Sequence, residues 1–224
     1  MHDILNENLF LVKSVGSFRA ANYDIYDPAT GHITMECREK PLGIVTKIFR
    51  CIGGCRRTPF DIQVRIPYRH QIVRITRGIS VFPYFSEMNV LDENDRRIGG
   101  IKHRHYDENL SVVDTSGRPV CRLVKEDNPE FSNSFRGSLQ GWLPVETDFR
   151  LAWLGCDFKF MADETELANV TKDWSGFRIS KGPVSNLDNS VLEIADCVAS
   201  DNVVRQLILA AVMCIDMVRP ALHL

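Results

Sequence analysis

The sequence predicts a mainly-β fold, a closed antiparallel β-barrel around a buried hydrophobic C-terminal α-helix. Three observations carry that prediction. One unit recurs five times: an alternating apolar strand, a turn rich in Asp, Asn or Gly, and a second alternating strand. No helical period separates the copies, as a parallel sheet with crossover helices would require. Finally, a segment near the C-terminus is apolar on nearly every face, and such a helix has to be buried all round.

The copies are YDIYDPATGHITMEC (23–37), FDIQVRIPYRHQIVRIT (60–76), MNVLDENDRRIGGIKHR (88–104), LSVVDTSGRPVCRLV (110–124) and CDFKFMADETELANVTKDW (156–174). Each has the period-2 alternation of a half-buried strand. In the first, Tyr23, Ile25 and Tyr26 lead to Asp27, Pro28 and Gly31, and Ile33 and Met35 alternate beyond. Asp, Asn and Gly hold the turns because they tolerate positive φ or bond their own backbone. Hairpins with loops of roughly three to five residues follow. Five hairpins give at least ten strands in an antiparallel meander, closed as a barrel or packed as a sandwich. Closure is favoured because it removes exposed edges. The Gly99-Gly100 and Gly53-Gly54 pairs read as bends in strands.

The interval 126–148 breaks the rhythm with Ser, Asn, Gly and Pro around Phe131, Phe135 and Trp142. It reads as a loop inserted into a single domain spanning 1–224.

Residues 203–218, VVRQLILAAVMCIDMV, predict a helix. Asp201 and Asn202 are available as N-caps, and Pro220 stops the segment. A membrane-spanning helix needs about 20 predominantly apolar residues. Here Arg205 and Asp216 bound a much shorter uncharged run, so burial inside the barrel is favoured over a membrane anchor.

Composition agrees with one soluble domain. Of the 224 residues 44% are hydrophobic and 25% charged, enough for a core that needs no disulfide or metal. A formal net charge of -2 argues against a general nucleic-acid binder. Seven scattered cysteines do not form a disulfide framework, and most sit in apolar runs, which fits a reducing cytoplasmic compartment. The N-terminal MHDILNENLFLVKS lacks the pattern of a signal peptide.

No nucleophile elbow, Walker loop or dinucleotide fingerprint is present, so no enzymatic activity is expected. The best surface site is KIFRCIGGCRR (47–57), where Lys47, Arg50, Arg56 and Arg57 adjoin Ile48, Phe49 and Ile52. A basic and apolar hairpin tip of this kind suits an anionic lipid surface, each cation contributing about 1 kcal/mol. The alternative is an ordinary exposed basic loop. Cys51 and Cys55 have no second ligand pair for zinc. His103 and His105 would share a strand face but lack a third ligand, so packed or solvated histidines are favoured.

The phrases NYDIYDPATGHITMECRE, KIFR, TPFDIQVR, LDENDRRIGGIK, DFKFMADETELANVTKDWSGF and RQLILAAVMCIDM, taken in order, resemble the phospholipid scramblase family. That family is in turn similar to the Tubby-like and LURP-one-related proteins. The likeness covers nearly the whole chain, with 126–148 as the main departure. It implies about twelve strands around a central helix, and membrane phospholipid or phosphoinositide as the partner class. It also places a calcium segment on NLDNSVLEIADC, with Asn186, Asp188 and Ser190 as oxygen donors. Against that, Val191 stands where such a loop needs glycine and Cys197 where a carboxylate should close the cage; VLEIAD reads equally well as a strand. No cofactor is expected beyond that calcium.

The functional expectation is therefore a scramblase-like, peripheral protein on the cytoplasmic membrane face that binds anionic phospholipid. Phospholipid scrambling by a membrane-inserted form is a further reading. The alternative of a different class is a non-enzymatic protein-interaction scaffold that uses 126–148 to hold a partner.

Overall fold

The computed structural model describes residues 3–15, 22–41, 43, 46, 58–79, 85–104, 110–127, 156–172 and 189–218. They form twelve strands and a C-terminal helix. The strands are β1 (Leu9–Ser14), β2 (Tyr23–Tyr26), β3 (Ile33–Glu39), β4 (Phe60–Arg65), β5 (Gln71–Arg77) and β6 (Phe85–Leu91). They continue as β7 (Arg97–Arg104), β8 (Leu110–Val113), β9 (Pro119–Asp127), β10 (Cys156–Ala162), β11 (Thr165–Lys172) and β12 (Asn189–Ile194). The helix α1 spans Asn202–Val218.

Each strand pairs antiparallel with the next, and β1 pairs with β12 from Leu9↔Glu193 to Lys13↔Asn189, closing the barrel. All five sequence repeats are hairpins: β2–β3, β4–β5, β6–β7, β8–β9 and β10–β11. The two strands that close the ring, β1 and β12, lie outside the repeats. Three of the hairpin loops have five residues, whereas 27–32 has six and 163–164 only two. β9 runs through Asp127, so the first two residues of the interval 126–148 belong to a strand. The rest of that interval lies outside the described residues.

The turns work as their residues dictate. Asp92 Oδ1 accepts from the backbone N–H of Asn94 and Arg96, and Asp114 Oδ1 accepts from Ser116 and Arg118 in the same way. Asp95 and Gly117 occupy the left-handed position that follows, at φ 58° and 85°. This is a type I turn with a bulge, and the register shifts beside it at Val90/Leu91 and Val112/Val113.

Alternation sends one side chain in two into the barrel. Phe60, Ile62 and Val64 of β4, Met88 and Val90 of β6, and Phe158 and Phe160 of β10 are all buried. The helix fills the interior: every residue from Arg205 to Ile215 is buried. Seventeen helical residues rise about 25 Å, which matches the longer strands, of seven to nine residues. Asp201 caps the first turn, its Oδ1 accepting from the N–H of Val203 and Val204.

Gly99 is where the wall admits the helix. A Cβ there would collide with the carbonyl oxygen of Val113 and stand 2.8 Å from Leu207 Cδ2. Gly99 thus serves close approach of helix to strand, a role that the bend suggested by its sequence does not include.

Chain direction sorts the connections. All five tight hairpins lie at one end, together with the start of α1. The strand ends joined by the other connections, including those flanking 40–59 and 128–155, lie at the opposite rim with the helix C-terminus.

At the hairpin end, Arg205 is 1% exposed. Its guanidinium donates to the carbonyls of Leu5 and Glu7 and, at 3.0 Å, to Asn8 Oδ1. Desolvation pulls its pKa below the ordinary arginine value, and nearby Glu7 opposes that shift. One side chain therefore straps the N-terminal turn Asp3–Asn6 across the mouth of the barrel.

Candidate functional site

Lys47, Arg50, Arg56 and Arg57 lie outside the described residues. The roots of their segment are described, and both are pinned. On the β3 side, Lys40 donates its backbone N–H to Asp61 O at 2.8 Å, and its Nζ pairs with Asp61 Oδ2 at 3.0 Å. On the β4 side, Thr58 O accepts from Nε and Nη2 of Arg77, at 3.2 and 2.8 Å. Arg77 is itself buried, with its guanidinium 4.5 Å from the centroid of the Phe60 ring.

Asp61 begins a ladder of charge on the outer wall. Arg74 bonds both of its oxygens, at 2.8 and 2.7 Å, and reaches Asp95 at 3.0 Å. The Arg74 hydrogen bonds hold the Asp61 carboxyl below the usual range, with Lys40 helping against desolvation. Elsewhere on the wall Arg38 pairs with Asp24, Arg65 with Glu36, Arg97 with Glu87, and Lys159 with Glu126 and Glu166. Those cations are thereby neutralised, whereas Lys13 of β1 and Arg69 and Arg96 in turns have no ion pair among the described residues.

Strands β7 to β9 differ. Lys102, Ser111 and Arg122 stand in one cross-strand row on the outer face, Lys102 opposite Ser111 and Ser111 opposite Arg122. Arg104 lies one outward position further along β7, toward the rim of the helix C-terminus, opposite Phe85. No ion pair involves Lys102, Arg104 or Arg122 among the described residues. Glu87 faces Lys102 in register, but its carboxylate is bonded to Arg97 at 3.3 Å. At the same rim Ile79 is 75% and Phe85 38% exposed. Sequence reasoning passed over these cations because spacing along one strand does not show which carboxylates neighbouring strands bring alongside.

Of the proposed calcium donors, Asn186 and Asp188 lie outside the described residues. Ser190 belongs to β12, opposite Val12 of β1, with its side chain buried on the interior face. The VLEIAD alternation takes its strand reading from Asn189 to Ile194. No group of three or more His, Cys, Asp or Glu among the described residues is placed to hold a metal. His103 is buried on the inner face of β7, the packed alternative, and His105 lies outside the described residues. Cys37, Cys121 and Cys214 are buried free thiols; burial pushes the latter two up to about 12, and Cys197 is exposed. No helix among the described residues is long and apolar enough to cross a membrane.

No family model matches the chain, and neither a curated protein nor a solved structure does.

Proposed function

We propose that this chain is a non-enzymatic, scramblase-like protein that binds anionic phospholipid or phosphoinositide peripherally, from the cytoplasmic face of a membrane. The observation that carries the reading is the enclosure of α1. Its apolar side chains are spent inside the protein's own barrel, so contact with a bilayer falls to the exterior.

That exterior has the opposite polarity to a lipid-spanning barrel, whose outward face is an apolar band. Here Asp61, Arg74, Lys102, Arg122 and Lys159 face outward. Lipid binding is favoured over lipid transport on energetic grounds. Expelling α1 would expose six large aliphatic side chains, Leu207, Ile208, Leu209, Val212, Met213 and Ile215. At about 1.5–3 kcal/mol each this costs roughly 9–18 kcal/mol, as much as the whole net stability of a typical domain.

The test is co-sedimentation of the full chain with phosphatidylserine-containing vesicles across a salt series. Binding should fall with salt and with Lys47, Arg50, Arg56 and Arg57 changed together to Ala, each cation being worth about 1 kcal/mol. A chain that stays in the supernatant at low salt is not a lipid binder, and the scaffold reading then takes over.

A further inference from the structure

The described residues hold a second cationic surface that the basic segment 47–57 does not include. We infer that the outer face of β7–β9, through Lys102, Arg104 and Arg122, docks on the phosphate headgroups of an anionic membrane, with Ile79 and Phe85 entering the interface beside them. This inference rests on the lipid-binding reading above and names the wall that makes the contact.

Charge segregation is the first support. Residues 97–104 and 110–127 carry six Lys or Arg against three Asp or Glu, in a chain whose net charge is -2. Two of those acids are engaged by partners of their own, Asp114 by Arg118 and Glu126 by Lys159. Lys102, Arg104 and Arg122 are left without a carboxylate partner among the described residues, Glu87 opposite Lys102 being taken by Arg97.

Geometry is the second. Lys102 and Arg122 flank Ser111 across two strand spacings, about 10 Å, which long side chains can bridge over a single headgroup. Lys102 Nζ lies toward the tight turn of β8–β9, 3.6 Å from where a Cβ on Gly117 would be. The small Ser111 between the two cations leaves the approach open.

The third support selects a membrane over other anionic partners. Arg104 stands directly opposite the exposed ring of Phe85, and Ile79 projects at the same rim. A cation beside exposed apolar side chains at one edge, Arg104 with Phe85 and Ile79, matches a bilayer surface, where phosphate and hydrocarbon lie within one layer. A nucleic acid would use the cations and leave Ile79 unexplained.

The experiment compares wild type, the triple variant Lys102→Gln/Arg104→Gln/Arg122→Gln, and Ile79→Ser. Each is titrated with phosphatidylcholine vesicles with and without phosphatidylserine, and thermal unfolding checks that each is folded. The triple variant should bind the anionic vesicles on the order of 100-fold more weakly, with its melting temperature unchanged. Ile79→Ser should weaken the binding that persists at high salt. Inorganic pyrophosphate should compete poorly, because a free phosphate lacks the apolar half of the surface. Triple-variant binding equal to wild type, with the Lys47/Arg50/Arg56/Arg57 variant released, overturns this inference and leaves the lipid-binding function standing. Pyrophosphate that displaces vesicles completely reassigns the face to a soluble phosphate ligand and likewise overturns it. Wild type that binds no vesicle removes both.

Discussion

Adding one methyl group at Gly99 tests whether α1 truly fills the barrel. In Gly99→Ala the new Cβ meets the backbone carbonyl of Val113 on the adjoining strand and stands 2.8 Å from Leu207 Cδ2, where ordinary contacts begin at 3.4 Å. The Leu207 side chain can turn aside; a carbonyl held in the β7–β8 ladder cannot, so strand or helix has to shift. Overpacking of this kind typically costs about 1–3 kcal/mol. For a chain of this size that is a fall in melting temperature of roughly 2–12 °C. Gly78 supplies the internal control, since nothing lies within 4 Å of its Cβ position. Gly78→Ala should be neutral or stabilising by about 0.4–1 kcal/mol through the lost freedom of the unfolded chain. Calorimetry and urea unfolding with an unchanged m-value would read both effects. A Gly99→Ala protein melting within about 1 °C of wild type would refute the close packing of helix on β7.

Two further predictions follow from buried and bonded charge. Arg205→Met leaves the carbonyls of Leu5 and Glu7 and the side chain of Asn8 without their donor, at an expected cost of about 2–4 kcal/mol. Hydrogen exchange should show residues 3–8 losing protection before the strands do, and a stability within about 0.5 kcal/mol of wild type would sink the strap. Asp114 is held down to about 2 from its usual 3.8, first by the Ser116 hydroxyl and then by the Arg118 and Ser116 hydrogen bonds. Because the folded value is the lower one, its contribution to stability is complete above pH 3.8 and disappears as the pH falls through about 2. An NMR titration in which Asp114 protonates near 3.8 contradicts the turn geometry.

The repeats were legible because everything that specifies a hairpin is local. Asp92 and Asp114 bond backbone two and four residues on, and the buried positions of β4 alternate within six residues. β1 and β12 were harder: neither belongs to a hairpin repeat, the partner that closes the ring is nearly the whole chain away, and LFLVKS has no turn to announce it. Gly99 looked like a bend because its reason, Leu207, is over a hundred residues further on. Arg205 looked like an interruption of the apolar run and is its anchor. The cations of β7–β9 that lack a partner among the described residues were invisible for the same cause: neutralisation happens between strands.

By itself the sequence determined the class of fold, the five hairpins, the capped helix and the need to bury that helix on every side. Period, turn chemistry and apolarity act over a few residues and can be read in order. Only the tertiary structure decided the meeting of β1 with β12, the opening at Gly99, the strap at Arg205 and the choice of which wall keeps its positive charge. Each of those depends on groups far apart in the chain whose side chains meet only once the ring has closed.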